Sequence, residues 1–201
     1  YIGDFKDAKY HGQGLLKDAN NYEYDGTWID GKKTGVAKIV YSDQTQYEGE
    51  VINGLRHGTG KLTLLNGTIY KGIWNNNKIN GQGIILSISG DRFEGSLIDG
   101  LRSGKGRQEY SNGSLYVGSF LKNQRHGVGS LTNENGYNYF GDWENGQKNG
   151  FGKINYSDGS YFSGIFKNGL AHGRGKIIYP DGVTYDGEWF EGVIQGYGNA
   201  T

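Results

Sequence analysis

Four histidines are the side chains of this chain best suited to bind a metal ion or to move a proton. They are His11, His57, His126 and His172, and each stands directly before a glycine. A zinc site needs three or four such ligands within about 2.0–2.3 Å of a single ion. Whether these four histidines can converge depends on the elements that carry them.

Two further patterns could support chemistry. The motif Gly-x-Gly occurs eight times, and it can cradle a phosphate when it precedes a helix. Pairs of carboxylates serve general acid–base catalysis. Carboxylates recur beside regularly spaced glycines at Asp4, Asp25, Glu48, Glu50, Glu94, Asp142, Asp186 and Glu188.

All 38 glycines of the chain occupy five positions of a 23-residue repeat. With Tyr1 as position 0, they fall at positions +2, +7, +11, +13 and +20. A fixed period of this length marks tandem repeats, in which each unit buries its apolar face against its neighbours. Position 0 is aromatic in all nine repeats: Tyr1, Tyr24, Tyr47, Tyr70, Phe93, Tyr116, Tyr139, Phe162 and Tyr185.

Apolar residues alternate within each repeat. Positions 0, +2 and +4 are aromatic, glycine and large apolar, and positions +13, +15 and +17 form a second alternating run. This alternation predicts two strands joined by a loop, each with one buried face. Dipeptides such as Asn53-Gly54 and Asn66-Gly67 predict hairpin turns in which both residues have positive φ. We therefore predict an all-β fold, an elongated, twisted, single-layer antiparallel β-meander with an open groove.

The glycine at position +2 lies between two large side chains on one strand face. A Cβ there would occupy the space that the rings need, so we expect Gly72→Val to destabilise the fold. We expect Gln44→Val, at a turn position that already lacks glycine, to cost little.

This architecture removes most of the chemistry considered above. The nearest histidines lie two repeats apart, ~20 Å at about 4.8 Å per strand, so we predict a structural role for them and no metal site. The carboxylates recur along a solvated strand face, and no Gly-x-Gly motif precedes a helix that could hold a phosphate. We predict that the chain has no catalytic residues, binds no cofactor and is not an enzyme.

The bulk composition excludes several classes of protein. The net charge is zero, with 21 basic and 21 acidic residues, so we expect no nucleic-acid partner. The chain lacks cysteine, which excludes disulfides and thiolate metal sites. No apolar run approaches the ~20 residues that span a bilayer.

The repeat resembles a known family. Segments 47–62 (YEGEVINGLRHGTGKL) and 185–192 (YDGEWFEG) are similar to the MORN (membrane occupation and recognition nexus) repeat. The resemblance covers residues 1–201 as one continuous array, with repeats starting at 1, 24, 47, 70, 93, 116, 139, 162 and 185. We expect this array to be an excerpt of a longer chain.

The resemblance implies a scaffold that binds a protein partner. As in radial spoke head proteins and junctophilins, it implies a cytoplasmic place in a cytoskeletal, ciliary or membrane-junction assembly, including the inner face of a membrane. An alternative that it leaves open is a regulatory appendage of an enzyme outside this segment.

A single-layer sheet cannot cover both of its faces, so part of the aromatic stripe is expected to stay accessible to a peptide, a helix or a cytoskeletal component. Tryptophan occurs only at position +4, and Ser87, Gln108 and Asn133 weaken the apolar pattern of repeats four to six. We predict that a protein partner contacts Tyr70, Trp74, Phe93, Tyr116, Phe120, Tyr139 and Trp143. A homodimer through the array ends is a further expectation.

Basic residues at positions +8 and +9 give an alternative site. In a row of loops they could bind anionic phospholipids, each contributing ~1 kcal/mol near a charged membrane. This basic row consists of Lys9, Lys32, Lys33, Arg56, Lys78, Arg102, Arg125 and Lys148.

Overall fold

The computed structural model describes residues 1–201 and contains eighteen β-strands and no helix. The chain divides into two compact units, residues 1–100 and 101–201, and each is described by itself. The strands of the first unit are β1 Ile2–Lys6, β2 Lys9–Lys17, β3 Glu23–Ile29, β4 Lys32–Val40, β5 Gln46–Ile52, β6 Leu55–Thr63, β7 Ile69–Asn75, β8 Lys78–Leu86 and β9 Arg92–Ile98. The strands of the second unit are β10 Leu101–Glu109, β11 Leu115–Leu121, β12 Gln124–Thr132, β13 Asn138–Glu144, β14 Gln147–Asn155, β15 Tyr161–Lys167, β16 Leu170–Ile178, β17 Thr184–Phe190 and β18 Val193–Ala200.

Within each unit, strands that are consecutive in the sequence pair antiparallel. This topology confirms the predicted all-β meander, in which each repeat supplies two strands. The structure holds no helix that is both long and apolar enough to cross a membrane.

The strands are longer than the sequence pattern predicts. The second strand of a repeat begins at position +8, as at Leu55, rather than near position +13. Only two residues, such as Asn53 and Gly54 with φ of 51° and 81°, separate it from the first strand. The prediction of two positive-φ residues is therefore right for this turn. The prediction of a loop between the strands is wrong, because positions +8 to +12 are paired backbone.

The second turn of each repeat has a different geometry. At Asn66-Gly67 only the glycine has positive φ, at 82°, and the asparagine side chain instead accepts the N–H of Thr68 at 3.0 Å. Where glycine is missing, Gln44 takes the same conformation with φ of 65°. The expectation that Gln44→Val costs little is therefore wrong, because a β-branched residue is strained in the left-handed region.

Glycine at position +2 is required by the opposite backbone as well as by the rings. Gly141 pairs directly with Gly152 of the next strand, and a Cβ on Gly141 would lie 2.5 Å from the Cα of Gly152 and 2.6 Å from Oη of Tyr139. The tyrosine ring lies along this strip of two glycines. Its hydroxyl donates to the carbonyl of Asp142 at 2.7 Å. The aromatic and glycine positions of the repeat therefore form one packing unit.

The core of each unit is the column of rings on this face, which we call the aromatic face. Tyr24 and Tyr47 in the first unit, and Tyr116 and Tyr139 in the second, are completely buried. Neighbouring rings meet edge to face, as Tyr139 does with Trp143 at a centroid distance of 5.1 Å. Edge-to-face pairs contribute about 0.5–1.5 kcal/mol beyond the area that they bury. A ring column therefore replaces the second layer that an ordinary sheet would need.

Candidate functional site

The structure places all seven residues predicted to bind a protein on the aromatic face of their units. Tyr70, Trp74 and Phe93 lie in the first unit, and the other four lie in the second. Tyr70 is half-buried, and the other six side chains are buried. Direct contact of those six side chains with a partner stays a prediction, and the rings already have partners within the sheet.

Tryptophan is confined to position +4 for a reason that the sequence did not show. In all four repeats the indole Nε1 donates to the carbonyl of the glycine fourteen residues earlier. The pairs are Trp28 with Gly14, Trp74 with Gly60, Trp143 with Gly129 and Trp189 with Gly175, at 3.0–3.1 Å. Each indole thereby ties its strand to the preceding repeat, which is a structural role.

The basic row is divided between the two faces of the sheet, because neighbouring residues of a strand point in opposite directions. The residues at position +9 lie over the rings, with Lys33, Arg56, Arg102, Arg125 and Lys148 at 4.1–5.5 Å from a ring centroid. The residues at position +8 are exposed, and they are Lys9, Lys32 and Lys78. The eight residues therefore do not form one charged surface.

Two equivalent tyrosine–lysine clusters mark the accessible part of the aromatic face. In the second unit Lys148 Nζ donates to Tyr137 Oη at 3.2 Å, and the ring of Tyr137 meets that of Tyr156 edge to face at 6.2 Å. All three side chains are half-buried. Tyr137 therefore presents part of its ring to solvent beside a cation, and Tyr156 lies next to it.

The first unit repeats this arrangement five repeats earlier. Lys33 Nζ donates to Tyr22 Oη at 2.8 Å, and Tyr22 contacts Tyr41 at a centroid distance of 6.2 Å. A shallow cavity of about 520 Å³ opens beside Lys33 and is lined by Trp28, Gly31, Lys32, Asn53 and Gly54. We name the two groups the tyrosine–lysine clusters: Tyr22, Lys33 and Tyr41, and Tyr137, Lys148 and Tyr156.

Sequence reasoning missed these clusters, although their signal is present. Lysine stands at position +9 only in repeats two and seven, and each lysine follows a tyrosine at position +21 of the repeat before it. Burial lowers the pKa of Lys33 and Lys148. Burial raises the pKa of Tyr137 to about 12. Both effects follow from loss of hydration of the charged form, so at neutral pH the clusters offer a cation beside neutral phenols.

Burial of tyrosine also makes the stability of the protein sensitive to alkali. Burial raises the pKa of Tyr24, Tyr47 and Tyr116 to about 12 from an ordinary value of 10.0. A raised pKa contributes stability that is complete below pH 10 and is lost as pH rises towards 12, because the unfolded tyrosines ionise first. We expect circular dichroism to show unfolding within this window, together with late ionisation of a subset of the tyrosines by ultraviolet absorbance.

A matched variant tests this prediction. Phenylalanine occupies the same position in Phe162, so Tyr116→Phe is compatible with the fold and should reduce the loss of stability above pH 10. If all 16 tyrosines ionise together near pH 10 while the sheet remains folded, the buried hydroxyls do not carry the pH dependence.

His11 has a structural role that other polar residues at position +10 share. His11 Nδ1 accepts the backbone N–H of Asp30 in the next repeat at 3.5 Å. At the same position Asn80 Oδ1 accepts from Asp99 N at 3.0 Å, and Ser103 Oγ accepts from Lys122 N at 3.3 Å. The side chain at position +10 thus caps the following hairpin turn at His11, Asn80 and Ser103, whereas Nδ1 of His57 is buried without a hydrogen-bond partner.

The carboxylates at position +3 compensate for an irregularity in the strand. The pairing register shifts between positions +2 and +4. Glu50 then accepts the N–H of Thr59 at 2.8 Å, and Asp142 accepts that of Phe151 at 2.9 Å. The hydrogen bond from Thr59 lowers the pKa of Glu50. Some of the recurring carboxylates therefore accept hydrogen bonds from backbone N–H groups.

The residues expected to weaken repeats four to six are accommodated in different ways. Gln108 is buried, accepts from Arg102 Nη1 at 2.6 Å and donates to the carbonyl of Glu109 at 3.1 Å. Ser87 Oγ hydrogen-bonds to Ser89 Oγ within its turn. The polar side chain at position +15 is therefore satisfied inside the core.

Comparison with known proteins gives one family and several solved structures of similar fold. The family model described as MORN repeat matches residues 1–21, 24–46, 47–69, 70–92, 93–115, 116–136, 139–161, 162–184 and 185–199. Comparison with curated protein sequences gives no match.

Among solved structures, the TCP10 domain of Danio rerio CPAP is similar in fold, with a TM-score of 0.50, 13% identity and coverage of 88% of this chain and 84% of that one. The SAS-4 (dCPAP) TCP domain of Drosophila melanogaster, in complex with a proline-rich motif of Ana2 (dSTIL), is similar at a TM-score of 0.43 and 15% identity, covering 75% and 77% of the two chains.

Proposed function

Since the chain belongs to the MORN-repeat family, we propose that it is a non-enzymatic scaffold that holds a protein partner along its aromatic face. In each unit the tyrosine–lysine cluster contacts an extended peptide or a helix of the partner. The deep rings keep the sheet in shape, and the half-exposed phenols and lysines make the contacts.

The observation that carries this proposal is that each unit contains one half-exposed tyrosine–lysine cluster. Tyrosine is favoured at binding surfaces because its ring is rigid, largely apolar and able to hydrogen-bond. Lys148 lies 5.8 Å from the ring centroid of Tyr137 and 5.2 Å from that of Phe166, so its ammonium is held against the rings. A partner that offers carboxylates or backbone carbonyls beside small apolar groups matches such a cluster.

The setting of this scaffold is a further part of the proposal. We infer a cytoskeletal, ciliary or membrane-junction assembly, where a repeat protein spaces other components. The zero net charge agrees with recognition by surface shape and local contacts rather than by long-range attraction.

The test is whether removal of one cluster abolishes the capture of partner proteins. We expect Tyr137→Ala/Tyr156→Ala to lose proteins that the unaltered chain captures from a cell extract in 0.3 M salt, as measured by quantitative mass spectrometry. Tyr161→Ala is the matched control, because Tyr161 is also half-buried but lies in β15 on the opposite face. Circular dichroism must show both variants folded.

Two outcomes would contradict the proposal. Equal capture by this folded cluster variant and by the equivalent Tyr22→Ala/Tyr41→Ala variant of the first unit would show that the clusters do not contact the partner. Flotation with anionic vesicles that disappears by ~0.3 M salt, together with its loss in Lys9→Glu/Lys32→Glu, would instead support lipid binding, since screening weakens exposed charge interactions.

A further inference from the structure

The opposite face of the second unit carries a continuous stripe of exposed apolar side chains. One residue comes from each of five consecutive strands, β11 to β15. They are Val117, Val128, Phe140, Phe151 and Ile165, with 47%, 52%, 55%, 49% and 41% of their surface exposed. We call them the apolar stripe.

Strand register shows that these residues are neighbours. Phe151 pairs directly with Ile165. Phe140 pairs with Ser130 on one side and Lys153 on the other, and each of those residues is two positions from a member of the stripe. Diagonal neighbours in an antiparallel pair lie within reach of aromatic side chains. The stripe therefore crosses the strands without a gap.

The fold does not require this stripe. In four of the five repeats of the first unit, position +1 carries a charged residue (Asp25, Glu48, Lys71 and Glu94), where repeats six and seven have Val117 and Phe140. Strands of the first unit pair in the same way with these charged residues. Exposed apolar groups that the architecture does not need indicate a binding surface.

Basic side chains lie at both ends of the stripe. Lys105 and Arg107 stand on β10, which precedes it, and Arg174 and Lys176 stand on β16, which follows it. Only Arg107 forms an ion pair, with Glu109 at 2.9 Å. Lys153, which pairs with Phe140 between the two ends, also forms no ion pair. The surface thus combines an apolar centre with cations at its two ends.

The nearby carboxylates form no ion pair with the two cations of β16. Asp142 is bound to the backbone N–H of Phe151. Glu188 pairs with Arg174 in the register, but its carboxylate is turned towards Gly196 on β18, where a Cβ would lie 2.4 Å from Oε2. Asp186, which pairs with Lys176, forms no ion pair with it. The cations at the β16 end are therefore available to a partner.

We propose that the apolar stripe binds an amphipathic helix with acidic residues at both of its ends. Six strand spacings of about 4.8 Å separate β10 from β16, so the surface is ~29 Å long, which a helix of about 19 residues spans at 1.5 Å per residue. The helical pitch of about 5.4 Å is close to the strand spacing. Successive turns of the helix therefore meet successive strands and their apolar side chains.

Charge argues against a second copy of this chain as the occupant. A two-fold axis in the plane of the sheet, whether along the stripe or along the strands, places basic end against basic end. Like charges that face each other across an interface weaken binding. A helix with glutamates in its first and last turns meets cations at both ends instead.

The test uses a synthetic 20-residue peptide with leucines on one helical face and glutamates in its first and last turns, labelled for fluorescence anisotropy. We expect Phe140→Thr/Phe151→Thr to weaken its binding to the full chain at least tenfold. Arg174→Ala/Lys176→Ala should weaken it about fivefold and reduce its dependence on salt. Val36→Thr, at an exposed position of the first unit, is the matched control and should bind normally.

Three results would overturn the proposal. A peptide with lysines in place of the glutamates could bind equally well, or the Phe140→Thr/Phe151→Thr variant could bind normally while folded. Sedimentation could instead reveal a dimer that this variant dissolves, which would identify a second copy as the occupant. The proposal does not depend on the tyrosine–lysine clusters, since Tyr137→Ala/Tyr156→Ala should leave the affinity for this peptide unchanged.

Discussion

Trp143→Ala is expected to lower the free energy of unfolding by about 3–5 kcal/mol, the range for truncating a buried tryptophan. The indole is buried and meets Tyr116 and Tyr139 edge to face at 5.3 and 5.1 Å. Arg125 lies 4.1 Å from its ring centroid. Removing the ring leaves a cavity in the core, and Arg125 loses the ring on which its guanidinium packs. Denaturant unfolding followed by circular dichroism measures the loss.

Trp143→Phe is the matched control for this prediction. It keeps a ring on which Arg125 and the neighbouring aromatics can pack, and it removes the indole hydrogen bond to Gly129 O, 3.1 Å long. Leaving that carbonyl unsatisfied costs about 1–3 kcal/mol. A loss as large for phenylalanine as for alanine would mean that the hydrogen bond, rather than ring packing, dominates.

The same burial changes how the predicted binding residues should be tested. Trp74 and Phe120 are both buried, so removing either one destabilises its own unit before it reports on a partner. The variant Trp74→Ala/Phe120→Ala therefore measures folding and binding together. The half-exposed Tyr137 and Tyr156 report on binding with less effect on the core.

Gly141→Ala is expected to destabilise the protein by about 3 kcal/mol, at the upper end of ordinary overpacking. The added Cβ would lie 2.5 Å from both the Cα of Gly152 and the carbonyl oxygen of Phe151. Both are backbone atoms of the paired strand, so relief requires the two strands to separate. The loss should appear as a lower denaturant midpoint with an unchanged denaturant slope.

Gly152→Ala separates this backbone clash from a ring clash. A Cβ there would meet the ring of Tyr139 at 2.5 Å, and a ring can shift. The first unit shows the outcome, because Ala37 holds the equivalent position opposite Gly26 and below Tyr24. We expect Gly152→Ala to cost at least 1 kcal/mol less than Gly141→Ala, given that overpacking spans about 1–3 kcal/mol. Equal losses would show that the two glycines are not distinguished by the backbone.

The repeat register alone was enough to predict the meander, its strand count and its buried face. The alternation of apolar residues around Tyr47 and Val51 predicts that one face of the strand is buried. Asn53-Gly54 predicts the tight turn, because both residues tolerate positive φ. These are local properties of the backbone and of side-chain alternation. The family resemblance followed from the same residues and was confirmed by the match over nine repeats.

The candidate binding surfaces depend on contacts between repeats, which the pattern within one repeat does not contain. Whether a lysine at position +9 covers a ring or faces solvent depends on the strand extending back to position +8, as it does at Lys148. The apolar stripe exists because pairing brings Phe140, Phe151 and Ile165 together from three strands. The sequence determined which residues share a face. Tertiary structure decided which of them remain accessible, because the rings that meet edge to face between neighbouring repeats are buried, whereas the phenols of the tyrosine–lysine clusters and the apolar stripe keep exposed surface.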